Sequence, residues 1–272
     1  GLGYQVSFLI FEREKRFTPF AQRTLKGLVG VTVALLIVIQ GGFWIQERMA
    51  VSSLPSAKAS TPNVLFIVVD TLRADHMSLQ GYDRETDPTM KRIASEGVMF
   101  ENAYASSSWT LTTHASLFTG RWPYEHKADG GRDLDDTYPT IAEALTERGY
   151  RTGAFNGNFE TVTSRWGFAR GFAHFEDYYQ TLPQLAVSSI YGRFLEYYVF
   201  HKVLNMEFSI DRRWAPSVNQ SALDWIDQSG DKPFFAFINY YDAHAPYVSP
   251  ERARFSEFEN PGGLVNTDWT TA

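Results

Sequence analysis

The chain of 272 residues contains no cysteine, which excludes a disulfide scaffold and leaves no thiol nucleophile. Glycine (20) and proline (12) are too few for a collagen-like chain, and no internal repeat is found. Wholesale disorder is excluded too, because 44% of the residues are hydrophobic and 15% aromatic. Basic residues are scarce where a nucleic acid would need them. The first 58 residues hold seven Lys/Arg against three Asp/Glu. Of the chain's 25 basic and 31 acidic residues this leaves 18 against 28, a net charge of −10 from residue 59 onward. Such a domain has no surface of clustered Lys/Arg to neutralise phosphates, so nucleic acid is excluded as a partner.

What is present begins with one long apolar run. Gly27 to Ile45 is 19 residues with no charge and a single Gln40. At about 1.5 Å per residue, such a helix nearly crosses a hydrocarbon core of roughly 30 Å. A transmembrane helix is therefore expected over 27–46, with the lipid bilayer as partner. A cleaved signal peptide fits less well, because the run starts deep in the chain and lacks a clear small-x-small site. Arg13, Lys15, Arg16, Arg23 and Lys26 precede the run, whereas only Arg48 and Lys58 follow it closely. The positive-inside rule then puts the basic segment 1–26 in the cytoplasm. The main domain falls on the periplasmic or extracellular side of the cytoplasmic (inner) membrane. Residues 1–11 read equally as the tail of an earlier transmembrane helix or as an interfacial segment. Residues 47–62, rich in Ser, Ala and Pro toward their end, read as a linker.

From residue 63 the pattern alternates between strands and helices. Asn63–Asp70 is a continuous apolar run closed by an acid, which suits a central parallel strand buried on both faces. Tyr150–Phe155 and Pro233–Tyr240 are further strand candidates, and Val98–Ala105 is another. Helices are expected over Asp87–Gly97, Thr112–Thr119, Thr140–Arg148, Val187–Leu204 and Ser217–Gln228, several with an N-cap residue or a closing Gly. The order implies an α/β sandwich with a mainly parallel central sheet, preceded by one transmembrane helix. In such sheets functional residues gather beyond the carboxyl ends of strands. Asp70 and the segment after Tyr240 occupy such places.

Three segments carry candidate chemistry. Asp70 offers hard carboxylate oxygen to a divalent cation, although a strand-end Asp more often caps a turn. Ser106–Arg121 is rich in hydroxyls and holds a helix start, where free N–H groups stabilise developing negative charge; an N-cap cluster explains the same residues more blandly. His244 follows a strand and precedes a Pro turn, which faces it toward a cleft, yet a lone His is more often structural.

Together these segments are specific. Pro62–His76, with Asn63-Val-Leu-Phe-Ile-Val-Val-Asp70 at its centre, resembles the opening of the sulfatase family within the alkaline phosphatase superfamily. So do Gly81-Tyr82 and Thr86–Tyr104. The stretch ending in Thr119-Gly-Arg121 resembles the family's nucleophile segment, and Gly149–Thr152, Arg170–Phe172 and Phe175–Asp177 resemble further landmarks. Tyr241–Tyr247 is similar to its substrate-His segment. The resemblance implies an alkaline-phosphatase-like sandwich over 63–272 and a sulfate- or phosphate-ester substrate. It implies Asp70 as a metal ligand and Thr110 and His244 as catalytic residues. His114 and Asn158 are implied as substrate-binding residues, and Ca, Mn, Zn or Mg as the divalent cofactor. Departures are equally clear. The second acidic position holds Thr71. The formylglycine position, nine residues before Thr119, holds Thr110, and relatives with a Thr nucleophile act on phosphate esters. Thr112-Thr-His114 replaces the usual Pro-Ser-Arg, and the Lys and His expected after Gly149–Thr152 are absent. No Asp-His or Asp-Asn pair follows His244, so the domain is expected to lack its C-terminal part or to have lost its site. Two readings follow. One is a membrane-anchored hydrolase or transferase; the other is a non-catalytic subunit docked by its helix into a larger membrane complex.

Overall fold

A computed structural model of the chain describes residues 2–58, 60–178, 190–195, 198–199, 212–228 and 230–245. The chain divides into two units, Gly1–Ser53 and Leu54–Ala272. The first is a single helix, α1 (Leu2–Ser52), 51 residues long. Its stretch Gln22–Ser52 is long and apolar enough to cross a membrane, by length and composition. Leu28, Leu35, Ile39 and Phe43 are all exposed along it. The helix runs without a break through the basic segment 1–26. The expected linker 47–62 therefore starts helical and leaves the helix only after Ser52.

The second unit is built on a parallel sheet of four strands, ordered β1 (Val64–Val69), β4 (Phe234–Tyr240), β2 (Arg151–Asn156) and β3 (His174–Glu176). The α/β class with a parallel sheet is the one expected. The expected place of Asn63–Asp70 is corrected: β4 and β2 hold the middle of the described sheet, and β1 lies at its edge. Its Leu65 and Ile67 accordingly stand 52% and 46% exposed, while Val64, Phe66 and Val68 pack inward. The aromatic run of β4 fills the central place and is buried on both faces.

Helices cover both faces of the sheet. On one, α3 (Thr110–Thr119) and α5 (Ile141–Thr146) press Leu111, Ala115, Phe118 and Ala142 onto Ala154, Phe235 and Phe237. On the other, α7 (Ala215–Asp227) sets Val218, Ala222 and Trp225 against Phe155, Ala236 and Ile238. Trp225 lies so close that a Cβ on Gly153 would stand 2.8 Å from its ring. Further short helices are α2 (Pro88–Glu96), α4 (Pro123–His126) and α6 (Ile190–Leu195), with single 3-10 turns at Ala74–His76, Ser78–Gln80 and Ser164–Trp166. Thr140 caps α5 in a capping box with Glu143, as Ser/Thr-x-x-Glu predicts. The strand expected over Val98–Ala105 does not form. Strand propensity needs a ladder partner, and among the described residues none pairs there, so Val98, Phe100 and Tyr104 are exposed. Most of the helix expected over Val187–Leu204 lies outside the described residues.

Candidate active site

The site forms where the carboxyl ends of β1, β4 and β2 meet the N-terminus of α3. Asp70 leaves β1 with its N–H donating to Tyr240 O at 2.8 Å, which fixes it to the end of β4. The residue is 7% exposed. Thr110 opens α3, and its hydroxyl stands 3.5 Å from Asp70 Oδ1. The N-cap residue, Trp109, makes no side-chain capping bond, and the first N–H groups of a helix have no partner within the helix itself. Asn158 donates to the other carboxylate oxygen, Asp70 Oδ2, at 3.3 Å. Its own Oδ1 accepts from the N–H groups of Glu160 and Thr161, at 2.9 and 3.0 Å, which pins the amide. The tight entry to this turn is made by Gly157, whose N–H donates to Asn239 O and where a Cβ would stand 2.8 Å from that oxygen.

Two strained or clamped turns flank Asp70. Thr71 has φ 55°, left-handed backbone that a β-branched residue rarely adopts. Its hydroxyl donates to Ala243 O at 3.1 Å and ties the β1 end to the loop after β4. That loop carries His244, whose ring stacks on Tyr241 at 4.2 Å. His244 Nδ1 donates to Ala245 O at 2.7 Å, so Nε2 is the ring nitrogen left to face a ligand. Arg212, buried, donates from Nη2 to His244 O and Ala245 O at 3.0 and 2.9 Å and lies over the rings of Trp214 and Tyr241. Asp242 accepts the N–H of Ala215 at the start of α7, and burial pushes its carboxyl above the ordinary range.

Of the five predicted residues, Asp70, Thr110 and Asn158 meet directly, and His244 joins them through the Thr71–Ala243 tie. His114 and Asn158, expected as substrate-binding residues, are 3% and 1% exposed and make internal hydrogen bonds. His114 Nδ1 meets Thr110 O at 2.8 Å, its Nε2 meets Asn239 Nδ2 at 3.2 Å, and burial lowers its pKa below the usual 6.5. Sequence reasoning assigned no role to Asn239, Thr71 or Arg212. The available signal for Asn239 was an amide inside the apolar run Phe234–Tyr240.

As a metal centre the described residues fall short. They offer one carboxylate, Asp70, and one hydroxyl, Thr110, whereas Thr71 turns its hydroxyl to a carbonyl. A hard cation takes six or more oxygen ligands and zinc about four. No group of three His, Cys, Asp or Glu side chains suited to a metal occurs among the described residues.

Comparison with known proteins gives the family and the fold. The sulfatase family model matches residues 62–267, and the chain belongs to the sulfatase family. An N-acetylgalactosamine-6-O-sulfatase of Bacteroides thetaiotaomicron is 35% identical over 116 residues, 40% of this chain and 21% of that protein. An arylsulfatase of Clostridium perfringens is 26% identical over 216 residues, 70% of this chain and 45% of that protein. The chain thus spans less than half the length of either relative. The crystal structure of a phosphonate monoester hydrolase of Agrobacterium radiobacter shares the fold, with a TM-score of 0.54 and 21% identity over 75% of this chain and 45% of that one. The family generally uses a divalent metal.

Proposed function

We propose that the protein is a membrane-anchored sulfatase-family hydrolase or transferase acting on sulfate or phosphate esters, with Thr110 as nucleophile. The observation that carries this reading is the Thr110 hydroxyl at the uncapped start of α3, facing Asp70. Thr110 Oγ attacks the sulfur or phosphorus, and its proton passes to the facing carboxylate oxygen, Asp70 Oδ1. The bond to the departing alcohol breaks as the new ester bond to Thr110 forms. The first-turn N–H groups of α3 stabilise the charge that develops on the non-bridging oxygens. His244, held by Arg212 and Tyr241, hydrogen-bonds an ester oxygen or gives the leaving alcohol its proton. Water, or an acceptor alcohol in a transferase, then releases the group from Thr110.

A divalent cation, one of Ca, Mn, Zn or Mg, belongs to the proposal, with Asp70 as one ligand. When bound it would polarise the ester and lower the pKa of the attacking hydroxyl. Membrane anchoring rests on Gln22–Ser52, and the basic flank before it puts the catalytic unit on the periplasmic or extracellular side. The relatives in the comparison carry the names of hydrolases, so the non-catalytic reading is not favoured.

The test is the purified full chain, in detergent, with an aryl sulfate and an aryl phosphodiester and each of the four metals. Product release is expected, and Thr110→Ala should lower it by at least about 1,000-fold, the scale on which a nucleophile is lost. Full activity in Thr110→Ala would overturn the reading.

A further inference from the structure

His114 lies one turn along α3 from Thr110, buried, with its ring edge-on to Phe168 and Phe237 at 6.3 and 6.1 Å. Both ring nitrogens are engaged, and the two partners are chemically opposite. Thr110 O is a carbonyl and only accepts, so Nδ1 at 2.8 Å carries the proton. Asn239 Nδ2 only donates, so Nε2 at 3.2 Å is bare. Taken together, the two contacts fit the neutral Nδ1–H tautomer with the Asn239 amide nitrogen toward the ring, and in that orientation the Asn239 amide oxygen is buried without a partner among the described residues.

The pair closes a ring of contacts around the site. Asn239 stands in register with Val68 of β1, and the next residue of β4, Tyr240, accepts the N–H of Asp70. Asp70 in turn meets the Thr110 hydroxyl, at the 3.5 Å limit of a hydrogen bond. The link from Thr110 O through His114 to Asn239 is therefore the far side of a loop whose near side is the nucleophile facing its carboxylate.

We propose that His114, locked in its Nδ1–H form by Asn239, is a positioning residue that registers the first turn of α3 on β4 and so aims the Thr110 hydroxyl at Asp70. The catalytic part of this inference rests on the reading of Thr110 as nucleophile. His114 touches neither substrate nor the reacting oxygen. An amide has the reach of one side of the ring only. His114→Asn puts a donor where Nδ1 stands, His114→Gln puts its amide where Nε2 stands, and His114→Phe keeps the ring packing with neither.

Three measurements on the full chain decide it. The first needs no variant: nitrogen NMR of histidine-labelled protein should show a protonated Nδ1 and a bare Nε2 for one buried imidazole, assigned by its loss in His114→Phe or His114→Gln. The second is amide hydrogen exchange. Leu111–Thr113 should exchange faster in His114→Phe and in Asn239→Leu, while the last turn of α3 keeps its protection. The third is kinetics on the aryl ester. In His114→Phe kcat should fall about 100-fold with KM changed less than about twofold, the signature of a misplaced reacting group. His114→Asn should recover part of that loss.

An Nε2–H tautomer overturns the proposal. So does unchanged exchange at Leu111–Thr113, or a raised KM at full kcat, which would mark a substrate contact instead. If Thr110→Ala stays active, the nucleophile reading fails by itself, and tautomer and exchange still decide whether His114 registers the helix.

Discussion

Thr71 shows how a single residue is constrained by the site. A β-branched side chain in left-handed backbone costs about 1–3 kcal/mol, and it persists here beside Asp70 with its hydroxyl on Ala243 O. Thr71→Gly removes that strain but adds roughly 0.5–1 kcal/mol of chain entropy. The lost hydroxyl bond to Ala243 O takes back about 1 kcal/mol more, so urea denaturation should show stability changed by less than about 1 kcal/mol, while aryl-ester turnover falls because the His244 loop loses its tie. A loss of more than about 2 kcal/mol would contradict the strain. Residue types that carry chemistry were legible in the sequence. Asp70 and Thr110 stood out by kind and by order along the chain, and the fold brings them within 3.5 Å of each other. Burial was not legible. His114 reads from sequence as a polar residue in a hydroxyl-rich segment, and only the packing of α3 on β4 turns it inward. Asn239 and Arg212 act through partners far away in sequence, which no local pattern encodes.

At the scale of elements, the strands and helices that position the site followed from apolar runs, caps and closing glycines. Two expectations met tertiary limits. Val98–Ala105 has strand composition but no ladder partner among the described residues, and Asn63–Asp70 has a buried strand's composition at a sheet edge. The join between β3 and α7 is a buried ion pair. Arg213 Nη1 donates to Glu176 Oε2 at 2.5 Å, and His174 Nε2 lies 3.1 Å from Oε1. Burial alone would raise the Glu176 pKa, but the bonds from His174 and Arg213 outweigh it and hold the carboxyl below its ordinary 4.5. A depressed carboxyl stabilises the fold above its unfolded pKa, and the contribution is lost as pH falls through the folded value. Glu176→Gln should thus cost about 3 kcal/mol at pH 7, because it leaves the buried Arg213 charge without its carboxylate while its bonds to Ser217 and Ser221 remain. In urea melts the gap to the parent protein should close below pH 4.5, and a pH-independent gap would contradict the ion pair. At the turn after β2, Gly157→Ala should cost about 1–3 kcal/mol, since the backbone oxygen of Asn239 cannot yield as a flexible side chain would.

For the whole molecule, charge and hydropathy separate the chain into a basic, apolar N-terminal helix and an acidic α/β unit. That division follows from composition, although the length of α1 does not, because the helix runs through Pro19, a residue that ordinarily ends or kinks one. If Gln22–Ser52 spans the bilayer, the protein should stay with membranes through high salt and alkaline carbonate and leave only with detergent. Mass spectrometry of the membrane-bound chain should still find residues 27–46. Release by carbonate, or a chain cleaved after that run, would contradict the anchor.

The central claim is that Thr110, aimed at Asp70 from the start of α3, takes the sulfuryl or phosphoryl group. It is tested most directly by acid-quenching the full chain with an aryl ester and mapping the labelled peptide. The account predicts a sulfuryl or phosphoryl adduct on Thr110 that disappears in Thr110→Ala. Turnover with the group on another residue, or undiminished in Thr110→Ala, would contradict it.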